Sequence, residues 1–130
     1  IVMRSTSYLE QYIERYRLFC QDEDVLGCCE LISYPDQQTV EIAALSVALA
    51  YRNQGIGREL VNFVIGEIKR QGAQRAIALS TREDNVFMNC GFKECSLEDL
   101  PPDKRFNYDS PQSKIYLYLL VEPGKDRSTD

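Results

Sequence analysis

The stretch Ala50-Tyr51-Arg52-Asn53-Gln54-Gly55-Ile56-Gly57-Arg58-Glu59-Leu60 decides the fold, because it joins two different periodic patterns. Before it, Thr39 to Ala48 is rich in β-branched and apolar residues, which is typical of a mostly buried strand. After it, apolar residues recur at helical spacing until the pattern stops at Gly72: Ile56, Leu60, Val61, Val64, Ile65 and Ile68. The sequence therefore predicts a strand, a glycine-bearing loop and a long amphipathic helix.

The loop has the features of a binding site for an anion. The first N–H groups of a helix have no partner within the helix, and the helix dipole adds positive potential there. Gly55 and Gly57 lack Cβ atoms, so a ligand can approach the backbone, and Arg52 and Arg58 add positive charge. This combination suits a pyrophosphate. The alternative is an ordinary strand-to-helix turn.

Two other phosphate-binding loops are excluded by the residues present. A P-loop requires G-x-x-x-x-G-K-[ST], which is absent, and a dinucleotide fingerprint requires a third glycine where Leu60 stands. The pattern that remains is R-x-x-G-x-G, formed by Arg52, Gly55 and Gly57.

Length and composition predict one globular domain. The chain has 130 residues, of which 44% are hydrophobic and 27% are charged. The net charge of −5 opposes general binding to nucleic acid or to anionic membranes, which requires a basic face. No run approaches the roughly 20 apolar residues of a membrane span, and no signal peptide precedes the first amphipathic segment. We therefore expect a cytoplasmic protein with a small-molecule partner, no nucleic acid and no membrane.

The cysteine and histidine contents limit the chemistry. The five cysteines, Cys20, Cys28, Cys29, Cys90 and Cys95, show no C-x-x-C spacing, so we expect reduced thiols and no metal site. The chain has no histidine, which removes Ser-His and Cys-His nucleophile pairs. Any proton transfer must use Glu, Asp, Tyr, Ser, Lys, Cys or water.

The remaining patterns predict a mixed sheet with helices packed on it, α/β or α+β by class. A short helix, with Ser7 and Glu10 in capping-box spacing, precedes an antiparallel meander whose third strand is Thr39 to Ala48. Arg75 to Ser80 is a buried strand reached by a crossover, so we expect it to be parallel to the third strand. A short helix, a brief strand, a long loop over 96–112 and a final strand complete the order.

The R-x-x-G-x-G pattern and its flanks resemble the acetyl-CoA motif of the GNAT superfamily of N-acetyltransferases. The resemblance implies the GNAT fold: a central, mixed, mostly antiparallel sheet flanked by helices, in which a parallel strand pair splays apart around acetyl-CoA. It also implies that the pantetheine runs along the end of the third strand and that the pyrophosphate binds the loop. The cofactor-binding residues implied are Leu45, Ser46, Val47, Arg52, Asn53, Gln54, Gly55, Ile56, Gly57, Arg58, Asn85 and Phe87.

Shorter matches along the chain look like the acetyltransferase domain of the N-acetylglutamate synthase family. They keep their order and include Arg4-Ser5, Gly27-Cys28, Glu41-Ile42-Ala43, Leu79-Ser80-Thr81-Arg82, Gly91-Phe92, Leu100-Pro101, Lys104-Arg105, Asn107-Tyr108 and Ser113-Lys114. The resemblance implies a domain over residues 1–121 that lacks the family's upstream strand and helix. The polar composition of residues 122–130 predicts a disordered tail. The acceptor implied is the α-amino group of L-glutamate, as in arginine biosynthesis.

The chemistry implied is direct attack of an amine on the acetyl thioester in a ternary complex. By resemblance Glu41 is the catalytic base, and its place in an apolar strand supports this, because a buried carboxylate is costly unless it is used. The alternative is an outward-facing Glu on a half-exposed strand. The resemblance places the oxyanion near the N–H of Val47 and assigns proton donation to Ser80. Many GNAT enzymes carry a tyrosine donor where Phe87 stands.

The acceptor side departs from the synthase pattern. Arg4 matches a family arginine near the amine pocket, and the further candidates for binding the carboxylates of the substrate are Lys104, Arg105 and Lys114. Pro111 stands where the family has another arginine. Three alternatives stay open: a catalytically silent acyl-CoA-binding regulatory module, an enzyme acting on another amine, and an enzyme acting on a protein N-terminus. A homodimer also stays open.

Overall fold

The computed structural model describes residues 5–81, 85–106 and 113–120. Its strands are β1 (Tyr16–Gln21), β2 (Asp24–Tyr34), β3 (Thr39–Val47), β4 (Arg75–Ser80), β5 (Lys93–Cys95) and β6 (Lys114–Leu119). Its α-helices are α1 (Thr6–Gln11), α2 (Ile56–Arg70), α3 (Val86–Asn89) and α4 (Pro102–Phe106). The strands form one six-stranded sheet in the order β1-β2-β3-β4-β6-β5.

The pairing of the strands confirms the predicted mixed class. Strands β1, β2 and β3 pair antiparallel in sequence order, as the predicted meander requires. Strands β3 and β4 are parallel, as expected from the crossover through α2. Strand β6 lies between β4 and β5 and is antiparallel to both. Within the described residues the sheet thus has one parallel pair in a mostly antiparallel arrangement.

Two local predictions are wrong. The N-cap of α1 is Ser5, whose side chain accepts from the backbone N–H of Tyr8, whereas Ser7 lies inside the helix. Ser5 takes the cap because its backbone is extended while the next residues are already helical. The predicted loop over 96–112 contains a 3-10 turn at Leu97–Asp99 and the helix α4 in its described part. The predicted tail over 122–130 lies outside the described residues.

Helix α2 packs its apolar stripe on one side of the sheet, which we call the α2 face. Its buried residues match the sequence periodicity: Ile56, Leu60, Val61, Val64, Ile65 and Ile68. They share a core with Val40 and Ile42 of β3 and with Ala76 and Ala78 of β4. The chain leaves the helix through Gly72, whose φ of +87° is the left-handed conformation that glycine adopts without strain. The predicted strand, loop and helix are confirmed.

The opposite side of the sheet, which we call the α4 face, holds a smaller apolar cluster and two buried acids. Ile77 of β4 packs there with Leu100 and Ile115. Directly paired residues share a face, so Glu41, which pairs with Ile77, lies on the α4 face. Glu30 pairs with Ala43, two residues along β3 from Glu41, and lies on the same face. Both carboxylates are buried.

Strands β3 and β4 separate after Glu41. Three parallel pairs join them: Thr39 with Arg75, Val40 with Ala76 and Glu41 with Ile77. Further along, β3 gains one residue relative to β2, since Cys28 to Glu30 spans two steps and the paired Ser46 to Ala43 spans three. Ala44 lies in this bulge with φ of +53°. A bulge bends its strand, and beyond Glu41 the described residues of β3 and β4 are no longer paired; we call this unpaired region between the two strands the gap.

The close approach of β2 to the end of β3 predicts a loss of stability on Gly27→Ala. A Cβ atom at Gly27 would lie 3.0 Å from the carbonyl oxygen of Ser46, so the two strands must move apart. We expect the free energy of unfolding in urea to fall by about 1–3 kcal/mol, as for other overpacked sites.

The matched control is Gly66→Ala in the middle of α2. A Cβ atom there meets the flexible end of Arg70 at 3.4 Å. This variant should be more stable than the parent by about 0.5–1 kcal/mol, because alanine loses less backbone entropy in a helix. Equal unfolding free energies for Gly27→Ala and the parent protein would contradict the proposed strand contact.

Candidate cofactor and acceptor site

The loop between β3 and α2 ends at the start of a 15-residue helix whose N-cap residue makes no side-chain capping hydrogen bond. Gly55 is the N-cap residue, with φ of +81°, and Asn53 is also left-handed, with φ of +64°. Gly55 has no side chain that could occupy the first N–H groups of the helix, which belong to Ile56, Gly57 and Arg58. The loop over 52–55 is exposed. The predicted anion site therefore has first-turn N–H donors that the N-cap residue leaves without a side-chain acceptor.

One hydrogen bond ties this loop to β3, and the helix start that follows the loop lies close to α3. Arg52 Nε donates to the carbonyl oxygen of Val47 at 3.3 Å, which ties the loop to the end of the strand. A Cβ atom on Gly57 would lie 3.6 Å from Val47 Cγ2 and 3.7 Å from Val86 Cγ2. Gly57 therefore lies in a narrow place between the end of β3 and the start of α3. Arg58 is exposed in the first turn of the helix.

Among the described residues, no strand pairs with one edge of the second half of β3. Leu45, Ser46 and Val47 are half-buried, and Ser46 and Val47 pair with β2 on one side. On the other side the pairing with β4 has already stopped at Glu41. An extended ligand can hydrogen-bond to such an edge as an added strand does. The three residues predicted to contact pantetheine therefore line the gap that leads to the loop.

Glu41 lies at the point where the gap begins. Its side chain is buried, with 4% of the residue exposed. The Tyr34 hydroxyl donates to Oε1 at 3.0 Å, and Lys104 Nζ lies 3.2 Å from Oε2. Burial, and then the neighbouring Glu41 carboxylate, raise the pKa of Tyr34, so its hydroxyl remains a donor. The alternative of an outward-facing, half-exposed Glu41 is wrong.

Ser80 ends β4 on the other side of the gap. It pairs with Lys114 of β6. Side chains alternate between the two faces along a strand, so Ser80, three residues after Ile77, lies on the α2 face. Glu41 lies on the α4 face, so the two predicted catalytic residues approach the gap from opposite faces of the sheet. Proton donation by Ser80 stays a prediction.

Asn85 and Phe87, both predicted to contact the cofactor, have clear structural roles. Asn85 Oδ1 accepts from the Met88 N–H at 3.1 Å and caps α3. Phe87 is 5% exposed and packs in the α2-face core, with its ring centroid 5.3 Å from that of Phe92. The cofactor contacts of both residues stay predictions.

The two predicted acceptor-binding residues within the described part of the chain lie on different elements. Arg105 is exposed on α4, with Nε donating to the carbonyl oxygen of Leu100 at 3.2 Å. Lys114 is exposed at the start of β6, and its Nζ lies 3.7 Å from Glu94 Oε1. Arg4 lies outside the described residues. Lys104, next to Arg105 in the sequence, contacts Glu41.

Four residues of the α4 face were missed by the sequence analysis: Tyr34, Glu30, Tyr8 and Arg15. Glu30 carried the same signal as Glu41, since it is an acid within an apolar strand, Val25 to Tyr34. The cationic partners of these acids, Lys104 and Arg15, carried none, because they come from elements well separated from the acids along the chain.

The thiols lie among the described residues and are all free. Burial raises the pKa of the Cys29 thiol to about 12, which disfavours its thiolate.

The described residues contain no group of three or more side chains suited to a metal ion. No helix in the described part is long and apolar enough to cross a membrane.

The fold and this site together define a class of proteins. A mixed sheet whose parallel pair opens beside an anion-binding helix start is the architecture of acetyl-CoA-dependent N-acetyltransferases. The model of the acetyltransferase (GNAT) family matches residues 4–92. The chain belongs to this family, as its motif predicted.

Individual relatives agree with this assignment. The amino-acid acetyltransferases of Mannheimia succiniciproducens and Photorhabdus laumondii are 31% and 30% identical to the chain, over 94% and 95% of its length. The N-acetylglutamate synthase of Neisseria gonorrhoeae, solved with coenzyme A and N-acetyl-glutamate, has a TM-score of 0.85 and 30% identity over 94% of the chain. The chain spans 28% of the length of the two curated relatives and 29% of that solved chain.

Proposed function

We propose that this domain transfers an acetyl group from acetyl-CoA to the α-amino group of a small amino acid. The observation that carries the proposal is the position of Glu41. It is a buried carboxylate at the last residue of β3 that still pairs with β4, where the gap leading to the loop begins. The relatives named as amino-acid acetyltransferases support an amino acid as acceptor.

The residues present fit acetyl-CoA. The N–H groups at the start of α2, with Arg52 and Arg58, supply donors and charge for a pyrophosphate. The free edge of β3 at Leu45 to Val47 supplies backbone partners for the amide groups of a pantetheine arm. Solved relatives of the same fold contain coenzyme A or acetyl-CoA. Bound here, acetyl-CoA would supply a thioester as acyl donor.

Glu41 is the proposed base that takes the proton from the acceptor amine, directly or through water. The Lys104 contact supports this role, since it demonstrates that an ammonium group fits beside Oε2. Tyr34 holds Oε1, so the carboxylate has a fixed orientation. As the amine nitrogen bonds to the acetyl carbon, the C–S bond breaks and the sulfur leaves with the bonding electrons.

The other proposed roles concern the oxygen and the leaving sulfur. The backbone N–H of Val47 is the proposed donor to the oxyanion, because the end of β3 borders the gap. Ser80 is the proposed donor to the thiolate from the end of β4. A thiol with a pKa of about 8.5 leaves readily as the anion, so this donor is less critical than the base.

L-glutamate is the first acceptor to test, because the Neisseria gonorrhoeae relative carries N-acetyl-glutamate. We expect the protein to release free thiol from acetyl-CoA when an amino-acid acceptor is added. The measurement is thiol release with L-glutamate, other amino acids, simple amines and a peptide N-terminus, each against a blank without acceptor.

The panel separates the alternatives. Thiol release with an amine other than an amino acid would identify a different acceptor and would still support an acetyltransferase. Binding of acetyl-CoA by calorimetry, with no thiol release from any acceptor, would contradict the proposed activity and favour a silent acyl-CoA-binding module.

A further inference from the structure

The proposed base, Glu41, carries a cation of the protein itself. Glu41 is buried, and Lys104 Nζ lies 3.2 Å from its Oε2. The Lys104 side chain is only 21% exposed, so this ion pair is largely removed from water. Breaking such a pair without replacing the lost partner is strongly destabilising. An acceptor amine that comes to Glu41 must therefore approach Lys104 or replace it.

Packing of the segment before α4 holds the root of Lys104 near Glu41. Leu100 and Pro101, which precede the helix, are both buried. Leu100 packs against Ile77, the residue of β4 that pairs with Glu41. The ammonium group, by contrast, is at the end of a flexible four-carbon stem. Lys104 can therefore change its ionic partner while α4 stays in place.

The geometry around Glu41 brings an acceptor close to this ammonium. Tyr34 donates to Oε1, and Oε2 is the oxygen beside which a charged nitrogen is accommodated. An acceptor nitrogen and Lys104 Nζ, each about 3 Å from Oε2, would be no more than about 6 Å apart. In an α-amino acid the carboxylate carbon lies about 2.5 Å from the amine nitrogen. The α-carboxylate would thus come within ion-pair reach of Lys104.

The charges of Glu41 and Lys104 match those of an amino-acid zwitterion. The ammonium group of the acceptor can take the position beside Glu41, and the released Lys104 can pair with the α-carboxylate. Two ion pairs then replace one, and both side chains keep a partner of opposite charge. A simple amine offers no carboxylate, so its positive charge would only repel that of Lys104.

We propose that Lys104 is a specificity-determining residue, which exchanges its ion pair with Glu41 for one with the α-carboxylate of the acceptor. The inference rests on the proposed function for the reacting amine. It adds a requirement for a free carboxylate on the carbon next to that amine. Simple amines lack this group, and in the N-terminal residue of a peptide it is part of an amide bond.

The test compares L-glutamate with its α-amide, L-isoglutamine, which keeps the amine and the side-chain carboxylate. Lys104→Met removes the ammonium group and keeps most of the apolar stem. We expect the ratio of kcat/KM for L-glutamate to that for the α-amide to fall at least about tenfold in this variant, equivalent to about 1.4 kcal/mol. The same two acceptors enter each ratio, so their different amine pKa values cancel between variant and parent.

Lys69→Met is the matched control, because it makes the same chemical change at another lysine. Lys69 is exposed in the last turn of α2, which packs on the α2 face of the sheet. The acceptor ratio should remain that of the parent protein.

A second variant covers the case in which Lys104→Met does not fold. In Lys104→Gln the side-chain amide can still donate a hydrogen bond to Glu41, but it carries no charge. The acceptor ratio should fall in this variant as well, with circular dichroism confirming the fold. An unchanged ratio in either folded variant would overturn the proposal.

Binding separates this proposal from the proposed function. Calorimetry on the complex of the protein with coenzyme A gives the dissociation constants of L-glutamate and its α-amide. Weaker binding of L-glutamate alone by Lys104→Met, without turnover by the parent, would support the role of Lys104 and contradict the acetyl transfer. Turnover of both acceptors with equal losses in the variant would support the transfer and overturn that role. Binding of neither acceptor by the parent would also overturn it.

Discussion

Replacing Glu41 with Gln is expected to lower kcat by about 10²–10⁴-fold at neutral pH, the usual contribution of a general base. Gln has nearly the same size and still accepts from the Tyr34 hydroxyl, but it does not take a proton from an amine. The dissociation constant of acetyl-CoA should change little, because the loop and the end of β3 are untouched. Steady-state thiol release and calorimetry give the two quantities.

Tyr34→Phe is the control for the environment of Glu41. It removes the hydrogen bond to Oε1 and keeps the carboxylate with its Lys104 partner. Because a single hydrogen bond contributes about 1 kcal/mol, kcat should fall by no more than about tenfold. Full activity of Glu41→Gln would remove this residue as the base. An equal loss in both variants would assign Glu41 a structural role.

The second large effect is expected from Gly57→Leu, which should weaken coenzyme A binding at least about 100-fold, equivalent to about 2.8 kcal/mol. The new side chain would fill the narrow place between Val47 and Val86 and cover the first N–H groups of α2. The measurement is the dissociation constant of coenzyme A by calorimetry, on protein whose fold is confirmed by circular dichroism.

Gly66→Leu is the matched control, because it makes the same substitution on the same helix away from the loop. A Cβ atom at Gly66 contacts the movable end of Arg70 at 3.4 Å, so the helix should accept the larger residue. Coenzyme A affinity should remain that of the parent protein. A folded Gly57→Leu variant with unchanged affinity would refute the anion site at this helix start.

Much of the fold could be predicted from the sequence, because the elements concerned are determined by residues close together in the chain. The apolar spacing from Ile56 to Ile68 predicted both the helix and the side that it buries. The crossover predicted the parallel pairing of Arg75–Ser80 with β3. The cap of α1 was misplaced by two residues, because Ser5 and Ser7 are both competent caps and packing decides between them. Helix α4 was missed because it is five residues long and begins at the second of two adjacent prolines.

Only part of the candidate site could be predicted from the sequence. Glu41 was identified because it is an acid within an apolar strand, whereas the same pattern at Glu30 was not recognised. The partners of the two acids, Lys104 on α4 and Arg15 beside α1, carry no local sign that they reach the same face. Long charged side chains on short elements are usually solvated, so their pairing with buried acids depends on how those elements dock.

The sequence by itself determined the strand, the glycine loop and the helix start, because periodicity, glycine content and helix termini are properties of adjacent residues. Only the tertiary structure decided where β3 leaves β4, since that depends on the bulge at Ala44 and on its register with β2. It also decided that Glu30 and Glu41 are buried together on one face, each beside a cation from a distant element. A buried charge is tolerated only where such partners converge, and convergence of residues far apart in the chain is a consequence of packing.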